Sequence, residues 1–334
     1  MAHIKLNKEN LFYNLKELCL KAGNKNKIAA VLKDNAYGHG IEPMSKMLHE
    51  FGISQAVVMN NNEALKTQEY FENTLILHDT PLLKSKCSYA VTSLDELKSF
   101  PQKIKLELKV DTGMHRNGIV IDKLEEALAI IQKRKLNFFG CFTHFKAADE
   151  FDTTLSWQKK NFERVKEIVL AKGFKPRFHS HNSAALLRSK NFSEDIARVG
   201  IAMYGYNELP AIFNPTPLKP VLSLWAKKTS TRVLKKGQKV GYGGDFKAPR
   251  DMIVSTYNVG YGDGLFRGDS KNPLYTVDAL AILGRVSMDF ISLESTQDEL
   301  CIFNDAKKVA KHFNTISYEI ITALKETLKR EIEE

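Results

Sequence analysis

The chain has 334 residues, of which 43% are hydrophobic and 26% are charged. This composition is ordinary for a globular protein and is sufficient for two domains with separate cores. The formal net charge is +10, but the 49 Lys and Arg residues are interspersed with 39 acidic residues and form no basic block that alternates with aromatic residues. The charge pattern therefore argues against nucleic-acid binding.

Cysteine usage and hydropathy predict the setting in which the protein works. The four cysteines stand far apart without the spacing of metal ligands, so we expect no metal site and a reducing, cytoplasmic environment. The first eleven residues alternate polar and apolar side chains and lack a signal-peptide core, and no apolar run approaches the length that spans a bilayer. We therefore expect no membrane association.

Eight short apolar or alternating runs follow one another in the first two-thirds of the chain. They cover residues 27–33, 55–60, 74–79, 88–93, 104–111, 138–145, 177–183 and 196–205. Stretches of helical character separate several of them, most clearly at 123–135 and 155–172. This alternation predicts an α/β fold, a (β/α)8 TIM-type barrel. The third connection, 80–87, is too short for a full helix, so an open doubly wound sheet stays an alternative, although the Gly-x-Gly-x-x-Gly turn of a dinucleotide site is missing.

A second domain is predicted after the barrel. Four of the ten prolines fall within residues 210–220, and the sequence beyond them consists of Val-, Thr- and Tyr-rich runs broken by glycines. We therefore expect a barrel domain over 8–209 and a mainly β C-terminal domain over 210–334, with residues 1–7 pairing to it. The tail, 316–332, has a composition that favours helix.

Lys33 is the first candidate for chemistry, because it ends the apolar run 28–32. Partial burial of such a lysine disfavours the ammonium form and leaves an amine that can form a Schiff base with an aldehyde. Many strand-end lysines only extend to solvent, so the surrounding residues decide. Catalytic groups of a barrel stand at the C-terminal ends of its strands. Polar residues with this placement are Lys33, Lys109, Asp111, His144, His179 and Ser183.

The segments after the last two predicted strands have features of an anion site. Ser183 begins a predicted helix, so its hydroxyl and the neighbouring amides can face a phosphate. Gly200 and Ile201, within the eighth run, supply backbone N–H groups nearby. Barrels of this kind often bind phosphate at the loops after strands seven and eight.

The sequence around Lys33 resembles the pyridoxal 5'-phosphate attachment site of alanine racemases. It reads VLKDNAYGHG over 31–40, with Asp34 where a small residue such as alanine is usual. Further matches cover nearly the whole chain: KVDTGMHRNG at 109–118, THF at 143–145, NSAA at 182–185, RVGIAMYG at 198–205, VGYGDG at 259–264 and GRVSMD at 284–289. The chain departs from the family pattern at His115 (usually glycine), Ser287 (commonly cysteine) and Glu326, where the C-terminal motif has a tyrosine.

The resemblance implies a pyridoxal 5'-phosphate cofactor and a role for each matching residue. The implied cofactor ligands are Lys33, Tyr37, Arg116, His144, Ser183, Arg198, Gly200 and Ile201. Arg116 and Met288 are implied to contact substrate. The implied supporting residues are Lys109, His179, Asn182 and Asp289. The lysine that corresponds to Lys109 is often carbamylated in the family.

Racemisation requires a base on each face of the substrate Cα. The resemblance assigns these bases to Lys33 and to Tyr261, the latter contributed by the other subunit of a homodimer with shared sites. The expected reaction is the interconversion of L- and D-alanine, which supplies D-alanine for peptidoglycan. A broad-specificity racemase or a related decarboxylase stays an alternative, because the motifs do not report pocket size. A non-catalytic pyridoxal-phosphate-binding barrel is more remote, because such proteins lack the β domain.

Overall fold

The structure is a computed structural model that describes residues 2–334. Its first ten strands are β1 (His3–Asn7), β2 (Ile28–Val31), β3 (Gln55–Val58), β4 (Asn73–Ile76), β5 (Ser88–Val91), β6 (Lys105–Asp111), β7 (Ile119–Val120), β8 (Asn137–Phe142), β9 (Arg177–His179) and β10 (Ala197–Val199). Eight of them form a parallel sheet in the order β10-β2-β3-β4-β5-β6-β8-β9, and β7 adds to β6. Each of the eight predicted runs overlaps one strand of this sheet.

Two hydrogen bonds bridge the two ends of the parallel sheet, at β9 and β10. The Asp195 N–H donates to the Phe178 carbonyl at 3.2 Å, and the Arg198 N–H donates to the His181 carbonyl at 2.9 Å. These bonds join the two ends of the strand order, so the sheet is a nearly closed eight-stranded barrel. The predicted (β/α)8 fold is confirmed, and the doubly wound alternative is wrong.

The helices lie between the strands, as the sequence pattern indicates. They are α1 (Lys8–Ala22), α2 (Lys33–Tyr37), α3 (Ile41–Phe51), α4 (Asn61–Thr67), α5 (Leu94–Ser99), α6 (Leu124–Arg134), α7 (Thr154–Ala171), α8 (Ser183–Arg188), α9 (Ala306–Phe313) and α10 (Ser317–Thr322). Single 3-10 turns occupy Lys25–Lys27, Ile121–Lys123, Ala211–Phe213, Tyr242–Gly244 and Tyr261–Asp263. Residues 77–87, between β4 and β5, contain no helix, so this connection is as short as its length predicted.

Helix α6 shows why these segments are helical. Its buried residues are Leu124, Ala127, Leu128 and Ile131, a spacing that places all four on one face of a helix. The helix ends where Lys135 adopts a left-handed conformation and its N–H bonds the carbonyls of Ile131 and Gln132.

The C-terminal part of the chain is mainly β. Its strands are β11 (Leu222–Leu234), β12 (Lys239–Val240), β13 (Phe246–Lys247), β14 (Met252–Tyr257), β15 (Ile291–Leu293), β16 (Glu299–Phe303) and β17 (Lys329–Glu333). One sheet has the order β15-β14-β11-β1-β17, with β16 also paired to β11. The N-terminal strand β1 is thus antiparallel to β11, with His3 opposite Trp225. A separate apolar cluster at one end of β11 and β14 consists of Leu234, Ala248, Met252, Val254 and Leu283.

The expected helical tail is wrong in its second half. Helix α10 ends at Thr322, and β17 then runs parallel to β1, with His3 opposite Lys329. The composition of this segment favours helix, but hydrogen bonds to the free edge of β1 stabilise an extended strand instead.

The chain separates into two compact units. One consists of residues 12–36 and 44–218, and the other of residues 2–11, 37–43 and 219–334. The domain boundaries expected from the prolines stay a prediction. Among residues 2–334, no helix combines the length and the apolar character needed to cross a membrane.

Candidate active site

Lys33 begins a left-handed turn at the end of β2. Asp34, Asn35 and Ala36 have φ values of 55°, 53° and 53°, and the Ala36 N–H bonds the Leu32 carbonyl at 2.8 Å. A left-handed turn costs roughly 1–2 kcal/mol per residue, less for Asp and Asn. The Glu63 carboxylate offsets part of this cost by accepting the Asn35 N–H at 3.3 Å. The turn leaves Lys33 Nζ part-exposed, 3.3 Å from Asp34 Oδ2.

Several cationic side chains from neighbouring strand ends act on one another. Burial, followed by the charges of Arg116 and Arg198, lowers the pKa of Lys109 to about 8. Burial and the charge of Arg198, with smaller contributions from Lys109, Arg116 and Lys33, lower the pKa of His144 to about 3. His144 is therefore neutral at physiological pH. The structure thus groups Lys33, Lys109, Arg116 and Arg198 around neutral His144. Such a group of cations is suited to an anionic ligand.

The loop after β6 is fixed by Asp111. Its Oδ1 accepts the N–H groups of Gly113, Met114 and His115 at 2.9, 3.0 and 3.1 Å. Gly113 has a φ of +134°, and a Cβ at this position would lie 2.1 Å from the Trp157 ring. Only glycine fits there, and the three bonds to Asp111 fix the backbone as far as His115, directly before the exposed Arg116.

Arg198 is a buried guanidinium that bonds residues at the ends of β8 and β9. Its Nη1 donates to His179 Nδ1 at 2.7 Å and to the His179 carbonyl at 3.0 Å. Its Nη2 donates to the Thr143 carbonyl at 2.6 Å and to the Ser180 carbonyl at 3.3 Å. Burial lowers the pKa of Arg198 to about 10, so the group stays protonated at neutral pH.

Ser183 joins the ends of β9 and β10. Its Oγ accepts the N–H of Gly200 at 3.0 Å and the N–H of Ala202 at 3.3 Å. Because the oxygen accepts both bonds, the hydroxyl proton is available to donate. Asn182 is the N-cap of α8, and its Oδ1 accepts the Ala185 N–H at 3.0 Å. Gly200 and Ile201 are buried beside Ser183.

Two further motifs meet in the β unit. The Tyr261 N–H donates to the Ser287 carbonyl at 3.0 Å, and the Gly262 N–H donates to the Met288 carbonyl at 2.7 Å. A Cβ on Gly260 would lie 2.1 Å from the Met288 carbonyl oxygen, so this close approach requires glycine. The side chains of Tyr261 and Met288 are exposed, as is Asp289.

The structure adds residues that the sequence analysis did not select. Tyr318 packs against Tyr37, with ring centroids 5.8 Å apart. The Arg330 Nη2 donates to the Gly38 carbonyl at 2.9 Å. Glu107 is a fully buried carboxylate in the middle of β6; a charge inside the apolar run LELKV was its only signal in the sequence.

The fold and these residues define a class of protein. A (β/α)8 barrel with a lysine, an anion-binding serine and a cationic cluster at its strand ends, followed by a β unit, is a barrel enzyme with its site at the C-terminal ends of the strands. Known proteins identify the family. The alanine racemase N-terminal domain matches residues 6–208, and the alanine racemase C-terminal domain matches residues 221–332. The chain therefore belongs to the alanine racemase family, a family of isomerases.

The match to individual relatives extends over nearly their full length. The chain is 48% identical to the alanine racemase of a Nitratiruptor species, over 99% of both chains. The structure of the alanine racemase from Bacillus anthracis with bound L-Ala-P has a TM-score of 0.89 and 25% identity, covering 100% of this chain and 95% of that one. The alanine racemase from Bartonella henselae with covalently bound pyridoxal phosphate has a TM-score of 0.84 and 24% identity, covering 99% of both chains.

Proposed function

We propose that the protein interconverts L-alanine and D-alanine with pyridoxal 5'-phosphate attached to Lys33. We further propose that it works in the cytoplasm as a homodimer and supplies D-alanine for peptidoglycan. The observation that carries the proposal is the grouping of Lys33 with Lys109, Arg116, His144 and Arg198 at the strand ends of the barrel. The 48% sequence identity to a named alanine racemase, over 99% of both chains, supports the choice of substrate.

The residues present fit this cofactor by their chemistry. Lys33 offers a part-exposed amine for an aldehyde. The Ser183 hydroxyl and the Ile201 backbone N–H offer neutral donors for a phosphate, whereas the Gly200 N–H is bonded to Ser183 Oγ. Arg198 offers only N–H donors, which suits an unprotonated ring nitrogen as acceptor. Pyridoxal 5'-phosphate, when bound, supplies an aldehyde for the substrate amine and withdraws electrons from Cα.

The side chains of the protein would then move the proton. Lys33, as an amine, removes the Cα proton from one face, and Tyr261 serves the other face. A tyrosine needs assistance to act as a base, because its usual pKa is near 10. The N–H of neutral His144 can donate a hydrogen bond to the tyrosinate oxygen of Tyr261, and the positive charge of Arg198, which acts on His144, favours this anion. Because Arg198 keeps its proton, it leaves the ring nitrogen unprotonated, which disfavours competing transamination and decarboxylation.

Substrate contacts and subunit organisation complete the proposal. Arg116 binds the substrate carboxylate from the barrel side, and Met288, held next to Tyr261 by the loop contact, lines the other side. Tyr261 and Met288 serve the barrel site of the second subunit, so that a homodimer shares its two sites. Lys109, His179, Asn182 and Asp289 support these ligands. This arrangement is taken from the family resemblance, and the exposure of Tyr261 and Met288 is compatible with it.

The decisive experiment is racemisation followed by chiral analysis. Purified holoenzyme should convert L-alanine and D-alanine to the same equal mixture, and L-serine and L-lysine should turn over much more slowly. Comparable turnover of all three amino acids would replace the proposal by a broad-specificity racemase. Absence of racemisation by a protein that carries the cofactor would exclude it.

A further inference from the structure

Glu107 is a buried charge that the proposed mechanism leaves unused. Its carboxylate has no solvent exposure. Oε1 accepts hydrogen bonds from Arg177 Nη2 and from the Ser88 hydroxyl, and Oε2 lies 2.7 Å from His179 Nε2. Burial raises the pKa of Glu107, but the Arg177 charge and the bond to His179 lower it by more than burial raises it. The pKa therefore lies well below its usual range, and the group is a carboxylate.

His179 connects this carboxylate to Arg198. Its Nδ1 lies 2.7 Å from Arg198 Nη1. A guanidinium can only donate, so His179 Nδ1 must be an unprotonated acceptor. Burial lowers the pKa of His179 to about 4, so the ring is neutral and its single proton lies on Nε2, where Glu107 accepts it. The ring also stacks on Phe142 at 4.9 Å and 5°, which fixes its plane.

We propose that Glu107 is a positioning residue that acts through His179. Its carboxylate, which can only accept, selects the Nε2–H tautomer of His179, and this tautomer orients the guanidinium of Arg198. The proposal rests on the proposed function, in which Arg198 contacts the ring nitrogen of the cofactor, and it names the residue that sets that contact.

Glu107→Gln should reverse the tautomer. A glutamine has one acceptor oxygen, and this oxygen faces the donors Arg177 and Ser88. The amide NH2 then faces His179 Nε2, which must accept, so the ring proton moves to Nδ1. There it meets the N–H of Arg198, and two donors cannot bond each other. The guanidinium must move or lose this partner.

Glu194→Gln is a matched control. Glu194 is also a buried carboxylate, and it also raises the pKa of Arg198 through its charge. It bonds Ser180 and His181 rather than His179. The two variants therefore remove the same charge from the surroundings of Arg198, but only Glu107→Gln changes the partner of His179.

The test is nitrogen NMR of the holoenzyme labelled with 15N-histidine, with the His179 signals assigned by their loss in His179→Gln. Wild type and Glu194→Gln should show protonated Nε2 and unprotonated Nδ1. Glu107→Gln should show protonated Nδ1, and its kcat should fall by about tenfold to a hundredfold with KM nearly unchanged, the effect of one hydrogen bond to a charged group.

Three outcomes would overturn the proposal: protonated Nδ1 in the wild-type ring, an unchanged tautomer with wild-type kcat in Glu107→Gln, or the same tautomer change in Glu194→Gln. If Glu107→Gln fails to fold, the wild-type ring pattern still tests the proposal, because protonated Nδ1 would refute it. The nitrogen signals are independent of turnover. A wild-type protein with the expected tautomer but no racemisation would therefore refute the proposed function and not the role of Glu107 towards His179 and Arg198.

Discussion

Arg330, in the C-terminal strand β17, donates a hydrogen bond to the carbonyl of Gly38, 292 positions earlier in the chain. The same guanidinium bonds the carbonyls of Lys325, Glu326 and Leu328. It therefore fixes the 325–328 turn, which contains Glu326, and the backbone directly after Tyr37. Since Tyr37 is a proposed cofactor ligand, Arg330 supports the site from the last strand of the chain.

Arg330→Ala should weaken cofactor binding and destabilise the fold. It removes the charged donor from two part-buried hydrogen bonds, those to the Gly38 and Leu328 carbonyls. We therefore expect a loss of about 2 kcal/mol in the free energy of unfolding and about tenfold in pyridoxal-phosphate affinity. Urea denaturation and cofactor titration measure the two effects. Lys329→Ala is the control, because the exposed Lys329–Glu331 ion pair is screened by solvent and contributes little to stability. Equal effects of both variants would contradict the role of Arg330.

Lys109 should react with carbon dioxide. Its pKa of about 8 means that the amine form, which attacks CO2, becomes abundant as the pH rises through 8, whereas an ordinary lysine stays protonated. Carbamylation releases a proton and gives an anion that can pair with Arg116. Carbon NMR with 13C-bicarbonate should show a carbamate signal that is stronger at pH 8 than at pH 6. The signal should be absent in Lys109→Ala; its persistence there would assign it to another amine.

Lys33→Ala should give a folded protein that lacks the visible absorbance of covalently attached pyridoxal phosphate. The protein is incubated with cofactor and dialysed exhaustively against cofactor-free buffer before its absorbance is measured. Folding is checked by circular dichroism. Lys46→Ala, on the outer part of α3, should keep the wild-type spectrum. Retained absorbance in Lys33→Ala would move the attachment to a different lysine.

Tyr261→Phe removes the proposed base on one face only. Exchange of the Cα proton in deuterated water should then become unequal for the two enantiomers, because Lys33 still serves its own face. The measurement follows deuterium incorporation into L- and D-alanine by mass spectrometry. Equal losses for the two enantiomers would contradict the two-base assignment.

Shared sites should permit complementation between inactive chains. In a mixed dimer of Lys33→Ala and Tyr261→Phe, one site carries both defects and the other carries neither. Random pairing makes about half of the dimers mixed, so the activity of a refolded mixture should return to roughly a quarter of wild type. Native mass spectrometry confirms the mixed species. Mixed dimers without activity would exclude sharing and leave the racemase function untouched.

Local pattern determined the barrel and the positions of its chemistry. The eight strands were predictable because each is a short apolar run next to a helical segment, and Lys33, His144 and Ser183 were predictable because parallel strands place their C-terminal ends at one rim. Tertiary structure alone decided the rest. The tail after Thr322 became strand β17 because the edge of β1, far away in sequence, offers hydrogen bonds that a local composition cannot report. Glu107 and Arg330 acquired their roles in the same way: a buried carboxylate and a guanidinium are defined by partners that only folding brings within hydrogen-bond distance.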